Sequence, residues 1–169
     1  MTFLPVEAAP MFRPAMPDDT TTLVAQAIAT QVFKPYEIDA LQEVLDDYHA
    51  ANRDYGHACW TWMEAEAIAG FAYFAPTAMT DRSWELWWIV VDPTRHGRGI
   101  GSAMLAEVER EVRRRDARIF LIETSSLPSY HPTRQFYLKH GYAEAARVAD
   151  FYADGDDKVI FSKRTAPSR

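Results

Sequence analysis

Apolar positions along this chain change period several times, and each change marks the border of a predicted element. Met11–Ala15 reads as a short strand, and Asp18 or Asp19 stands where it can cap a following helix. Leu23, Ala27 and Ile28 recur at helical spacing within Thr20–Phe33, and Pro35 breaks the pattern. Glu37–Ala51 resumes it with Ile38, Leu41, Val44, Leu45 and Tyr48, a second amphipathic helix. From His57 the period becomes two, and Ile68–Phe74 follows, so 57–74 predicts a hairpin whose turn near Glu64–Ala67 lacks strong turn residues. Trp84–Val91 is nearly all apolar, with Glu85 its only charge, as a strand covered on both faces would be.

The second half is more strongly punctuated. Gly99–Arg115 puts Ile100, Met104, Val108 and Val112 on one helical stripe. Arg118–Thr124 predicts a strand. Pro132–His140 predicts a helix with proline at its start and Gly141 past its end. Tyr142–Val148 and Val159–Lys163 predict two closing strands around a polar loop, Asp150–Lys158. The order describes a mixed α/β or α+β domain with one parallel crossover, where the long helix links two strands. The expected organisation is a tail over 1–10, one domain over 11–164 and a tail over 165–169.

Composition narrows the function classes. A chain of 169 residues suits one domain, and 48% apolar with 25% charged residues is ordinary for a globular protein. The net charge of -6 argues against nucleic-acid binding by bulk charge. The single cysteine, Cys59, excludes a disulfide framework, and without a basic neighbour it reads as a small core residue before a nucleophile. His49, His57, His96, His131 and His140 lack ligand spacing, so no metal is expected. No apolar run approaches the ~18 residues of a membrane span, and the N-terminus lacks a signal-peptide pattern. The expectation is a cytoplasmic protein off the membrane; a homodimer stays open.

Between the buried strand and the long helix lies Thr94-Arg-His-Gly-Arg-Gly-Ile-Gly101. Alternate glycines let the backbone approach a ligand, and the free N–H groups at a helix start form an anion site. Arg95 and Arg98 add charge, so a pyrophosphate is the natural guest. From 93 to 118 seven arginines stand against Glu107, Glu109, Glu111 and Asp116, a basic segment inside an acidic chain. The Walker pattern is absent. The spacing G-x-G-x-G, with half the chain before it, departs from a dinucleotide fingerprint, although Glu123 lies near where a ribose-binding acid would sit.

The stretch from Trp84 to about Lys163 resembles the GNAT superfamily of acetyl-CoA-dependent N-acyltransferases. Its pyrophosphate motif, [QR]-x-x-G-x-[GA], aligns with His96-Gly97-Arg98-Gly99-Ile100-Gly101, with His at the first position as a departure. Its late-helix hallmark, F-Y-x-x-x-G-[FY], aligns with Phe136-Tyr137 to Gly141-Tyr142. The N-terminal half matches only in element order and in Arg13-Pro14-Ala15. The resemblance implies a splayed central mixed sheet of about seven strands with about four helices. It also implies a bulge in strand 84–91 and a gap between that strand and 118–124 that takes the pantetheine arm. It assigns cofactor binding to the backbone of Ile89, Val90 and Val91 and to His96, Gly97, Arg98, Gly99, Ile100, Gly101 and Ser102.

Acetyl transfer to an amine needs a base for the ammonium, a donor for the oxyanion and an acid for the departing thiolate. Glu85, alone in an apolar strand and eleven positions before His96, suits the base by burial and by the resemblance; its other reading is a solvated rim carboxylate. Glu123 is the alternative, through a water. Tyr137 suits the acid, because the resemblance sets its helix beside the thiol; its other reading is a packed aromatic. Arg113-Arg114-Arg115 reads as a last-turn complement to the helix dipole before a contact to the 3′-phosphate of coenzyme A. Tyr130 and the acidic, aromatic stretch Asp150–Asp157 suit a cationic acceptor, or are simply solvated. The expected function is acetyl transfer from acetyl-CoA to a primary amine in a direct ternary complex. A non-catalytic acyl-CoA-binding module and a nucleotide-dependent oxidoreductase are the alternatives.

Overall fold

In a computed structural model, residues 11–165 are described. The proposed N-terminal tail and residues 166–169 lie outside them. Thr165 is bonded to the body, its amide to Arg118 O at 3.1 Å and its hydroxyl to Ala117 O at 2.5 Å.

Seven strands form one mixed sheet: β1 (Met11–Pro14), β2 (Ala58–Glu64), β3 (Ala67–Pro76), β4 (Ser83–Val91), β5 (Ile119–Ser125), β6 (Ala143–Ala153) and β7 (Asp156–Arg164). Their order is β1-β2-β3-β4-β5-β7-β6. All the described pairs are antiparallel except β4–β5, the crossover the sequence predicts. One parallel pair is too few for a doubly wound dinucleotide fold. Helices α1 (Thr20–Ala29) and α2 (Pro35–Ala50) cover one face. Helices α3 (Ile100–Arg114) and α4 (His131–Lys139) cover the other. The alternating strand residues separate two cores. Leu23, Leu41, Leu45, Tyr48, Phe71 and Tyr73 fill the α1–α2 side, and Phe74, Leu86, Met104, Val108, Phe120 and Phe161 fill the α3–α4 side. Among the described residues no helix is long and apolar enough to cross a membrane.

Three borders differ from the sequence reading. Helix α1 stops at Ala29, because the Thr30 hydroxyl bonds Ala27 O at 2.7 Å and Gln31 takes φ 58. Pro35 opens α2 at its first position, and the Glu37 carboxylate accepts the Lys34 amide at 2.7 Å. The expected polar loop 150–158 is instead the tip of a hairpin. Asp154-Gly155 makes a two-residue turn with Gly155 at φ 78. The aspartates satisfy the irregular backbone: Asp150 Oδ1 accepts the Gly155 amide at 2.7 Å, and Asp157 Oδ1 accepts the Asp150 amide at 3.0 Å. The weak turn after β2 also has a cost, since Ala65 adopts φ 53 without being glycine.

Candidate active site

The site begins with one extra residue in β4. Tyr73 pairs with Trp88 and Phe74 with Leu86, so Trp87 is bulged out of the ladder. A bulge shifts the side-chain phase by one. Trp84 and Leu86 pack toward α3 before it and Ile89 and Val91 after it, while Trp88 and Val90 turn to the α1–α2 core. The bulge also re-aims the strand. Pairing with β5 ends at Leu86–Ile122, and beyond it β4 has a partner only in β3. Asp92 N–H bonds Ala69 O at 2.9 Å. By strand alternation Ile89 and Val91 therefore turn their backbone polar groups to the open side. Val90 turns its own to β3, although the residue still lines the cavity.

The glycine loop closes one end of this gap. Gly97 and Gly99 take φ 75 and 78, a region closed to most side chains, and Gly99 caps α3. Ala103 N–H makes the first bond of helical type, to Gly99 O, leaving the amides of Ile100, Gly101 and Ser102 without helical acceptors. His96, the departure from the motif, ties the loop to the strand: its Nε2 lies 2.9 Å from Val91 O. Arg95 and Arg98 both pair with Glu64 at the end of β2, Arg98 at 3.3 Å. Arg95 faces the gap, whereas Arg98 is drawn away from its lining. Arg113, Arg114 and Arg115 pair with Glu109 and Glu111 of their own helix, as the last-turn reading has it.

A cavity of about 860 Å³ runs from this loop between β4 and β5 to the α1–α2 connection. Glu85 and Tyr137 both line it. Glu85 lies on the α1–α2 side of the sheet, as does Glu123. Burial, followed by the neighbouring charge of Glu123, pushes the Glu85 carboxyl above the ordinary range, against the Trp87 indole and Lys158. Tyr137 sits across the cavity on α4, only 4% exposed, and burial raises its phenol. The late-helix hallmark is now a physical motif. Tyr142 N–H bonds Tyr137 O at 3.1 Å and Gly141 N–H bonds Leu138 O at 3.1 Å, with Gly141 at φ 84. This is a Schellman end, and the accompanying contact is the Tyr137–Tyr142 ring pair at 5.9 Å. Tyr142 OH donates to Glu109 Oε1 at 3.0 Å, and Lys163 pairs with that same carboxylate. The helix end that carries Tyr137 is thus fastened to α3 and β7.

The far end of the cavity is acidic and aromatic. Glu37, Glu85, Glu123 and Asp156 line it with Tyr36, Trp87, Tyr130 and Tyr152. Burial and then these four carboxylates push the Tyr152 phenol up to about 12. Lys158 pairs with Glu123 at 2.5 Å, and Lys34 with Asp156 at 3.0 Å. Asp156, 2% exposed, also accepts from the Ser125 hydroxyl at 2.5 Å. Tyr130 OH donates to Val32 O at 3.3 Å, so the α1–α2 connection is held over the cavity. Cys59 is fully buried with its thiol pushed up by burial, which removes it as a nucleophile.

Of the residues singled out in the sequence, Glu85, Tyr137, Tyr130, most of the glycine loop, and Tyr152 and Asp156 of the 150–157 stretch line this cavity. Sequence reasoning missed the α1–α2 connection from Thr30 to Glu37. The available signal was Lys34-Pro35-Tyr36-Glu37, a proline-opened helix start with a capping glutamate.

The comparisons with known proteins agree with this geometry. Residues 23–142 match the profile of the acetyltransferase (GNAT) family. A GNAT-family protein from Desulfovibrio desulfuricans superposes with a TM-score of 0.89 at 35% identity, covering 94% of this chain and 100% of its own. The structure of yncA from Salmonella typhimurium, which holds acetyl-CoA as cofactor, has a TM-score of 0.74 at 14% identity over 96% of this chain and 97% of its own, a likeness of fold. The uncharacterized N-acetyltransferase YedL of Escherichia coli (strain K12) is 28% identical over 101 residues, 60% of this chain. That match spans 62% of YedL's length. A splayed β4–β5 pair, a glycine loop capping α3 and a profile match across most of the described domain converge: this chain belongs to the GNAT acetyltransferase family.

Proposed function

We propose that this protein transfers the acetyl group of acetyl-CoA to a cationic primary amine by direct attack in a ternary complex. One observation carries the reading. A single cavity joins a backbone anion site, an unpaired strand edge, a half-buried carboxyl and a buried phenol. The free amides at the start of α3 suit a pyrophosphate, and the open edge at Ile89, with the Val91 N–H, suits an extended amide-bearing arm. Acetyl-CoA supplies the activated thioester. Glu85 takes a proton from the ammonium, freeing the nitrogen lone pair for the thioester carbon. An N–H on the open edge of β4 receives the oxyanion. Tyr137, which burial keeps protonated at neutral pH, gives its proton to sulfur as the carbon–sulfur bond breaks. Four carboxylates with only Lys34 and Lys158 paired among them favour an acceptor that is itself positive, and the surrounding rings add cation–π contact.

Free-thiol release from acetyl-CoA with a panel of primary amines tests this. Amine-dependent release that is strongest for amines with a second positive charge is the expected result. Binding of acetyl-CoA without release by any amine would point to the non-catalytic module. Thermal stabilisation by NAD(H) and not by acetyl-CoA would point to the oxidoreductase.

A further inference from the structure

We propose that Lys158 is a positioning residue that makes Glu85, and not Glu123, the proton acceptor for the incoming amine, a claim that rests on the acetyl-transfer reading above. Glu85 and Glu123 share one side of the sheet where β4 and β5 last pair, and both face the cavity. Either carboxylate could therefore serve as base to an ammonium in the cavity. The structure breaks the tie. Lys158 on β7 lies two positions along from Ile160, the partner of Glu123, so its side chain emerges on the same side. Its ammonium meets Glu123 Oε2 at 2.5 Å. It is held there from above by the Phe151 ring, whose centroid is 3.8 Å from Nζ. Phe151 in turn stands edge-on to Tyr152 at 5.0 Å. Among the described residues Glu85 forms no ion pair; it has only the indole of Trp87, the bulged residue of its own strand.

The groups around Glu85 are few. Glu123 faces it from β5, Lys158 from β7 and the Tyr152 phenol from β6. Trp87 is stacked on Tyr73 at 5.4 Å and met edge-on by His57 at 5.4 Å. Glu37 and Asp156 act on Tyr152 from beyond, and Lys34 is spent on Asp156. Among the described residues, Lys158 is the cation that acts on Glu85 and pairs with Glu123, and it is committed to Glu123. The Lys158 ammonium occupies Glu123 Oε2, so the carboxylate without an ion pair is left to receive the ammonium proton. The proton passes from nitrogen to a Glu85 oxygen and afterwards to solvent.

The test uses the whole protein, with carboxyl-labelled glutamate followed by NMR across pH and with acid-limb kinetics of thiol release. Lys158→Met removes the cation and keeps an apolar stem against Phe151. It is expected to move the Glu85 titration and the acid limb of kcat/KM up by about one pH unit, roughly a tenfold loss at a fixed pH on the limb. Lys158→Gln serves if the Met variant does not fold. Lys158→Arg should bring the limb back. Glu123→Gln should move it the other way, to lower pH, with release still rising to a plateau. A limb and a Glu85 titration unmoved by the loss of Lys158 would overturn the proposal. So would loss of the plateau in Glu123→Gln, which would make Glu123 the base. If the wild type releases thiol with none of the amines tested, the acetyl-transfer reading fails; a Glu85 titration that still moves with Lys158→Met identifies that failure as distinct.

Discussion

The two ends of the cavity are built by different means. The donor end is made from backbone: open-edge groups of Ile89 and Val91, free amides at the start of α3, and two glycines at positive φ. Its elements are neighbours in sequence, β4, the loop and α3. Its arginines are largely spent on Glu64, Glu109 and Glu111. The acceptor end is made from side chains. Glu37 comes from α2, Glu85 from β4, Glu123 from β5, Tyr152 from β6 and Asp156 from β7. A backbone site suits a ligand part that stays constant, since it depends on local conformation and not on particular side chains. A side-chain site is free to change its charge and shape without disturbing the fold.

The sharpest way to break this comparison is to remove the chemistry at the junction of the two ends. Tyr137→Phe should lower turnover by roughly 10²- to 10⁴-fold while acetyl-CoA affinity holds. Its ring pairs with Tyr142 and Phe161 survive the change. Near-normal single-turnover rates would reduce Tyr137 to a packing residue. Glu85→Gln should cost on the order of 10² in kcat/KM and erase the acid limb. The sign follows from burial. Only the ionised carboxylate accepts a proton, and its pKa is raised, so wild-type activity should climb with pH through a limb above the ordinary carboxylate range. A limb that persists in Glu85→Gln would assign it elsewhere.

The donor end should respond to backbone strain. Gly99→Ala places a Cβ at φ 78, where an L-residue costs about 1–2 kcal/mol, enough to weaken acetyl-CoA binding by roughly tenfold. No heavy atom lies within 4 Å of that Cβ, so the loss would come from conformation and not from a clash. Calorimetric titration with acetyl-CoA measures it; unchanged affinity would mean that the loop is read by side chains after all.

This contrast also governs what the sequence could show. The donor end was legible because local conformation leaves a local signature: alternate glycines before an apolar stripe, and Gly141 after Phe136-Tyr137. The Schellman contact between Tyr137 and Tyr142 explains why that second signature has its spacing. Glu85 was legible as the odd charge in an apolar strand. The bulge at Trp87 was not readable from residue types, because a run such as Trp84–Val91 alternates too little to reveal a phase slip; only the resemblance implied it. The hairpin tip at Asp154-Gly155 had its turn signal, but the flanking aspartates masked it as a loop. The pairing of Lys158 with Glu123 and of Lys34 with Asp156 was beyond reach, since each joins residues far apart in the chain whose meeting depends on strand register.

The acceptor end should respond to charge, and more gently. Glu37→Gln keeps an acceptor for the Lys34 amide, so α2 retains its cap. It removes one of four carboxylates from the cavity end. The expected effect is a few-fold rise in KM for a cationic amine at low salt, fading as salt screens it, with kcat unmoved. A neutral-tailed amine should not feel the change. If it does, the end is read by shape rather than by charge.

The smallest effect tests the donor end from the opposite side. Arg114 belongs to the most basic run in the chain, and charge counting alone would give it to a phosphate. In the structure its side chain is 72% exposed and bonded to Glu111 at 2.7 Å, one helix length away from the glycines. Glu111 itself is buried, but it keeps Arg115 as a partner at 2.6 Å when the exposed Arg114 is removed. Arg114→Gln should therefore leave acetyl-CoA affinity within about twofold and Tm nearly unchanged. The same measurement on desphospho-acetyl-CoA, which lacks the 3′-phosphate, decides the matter. If Arg114 held that phosphate, wild type and variant would differ on acetyl-CoA and converge on the desphospho form. If the donor end is read by backbone, the two proteins should track each other on both ligands.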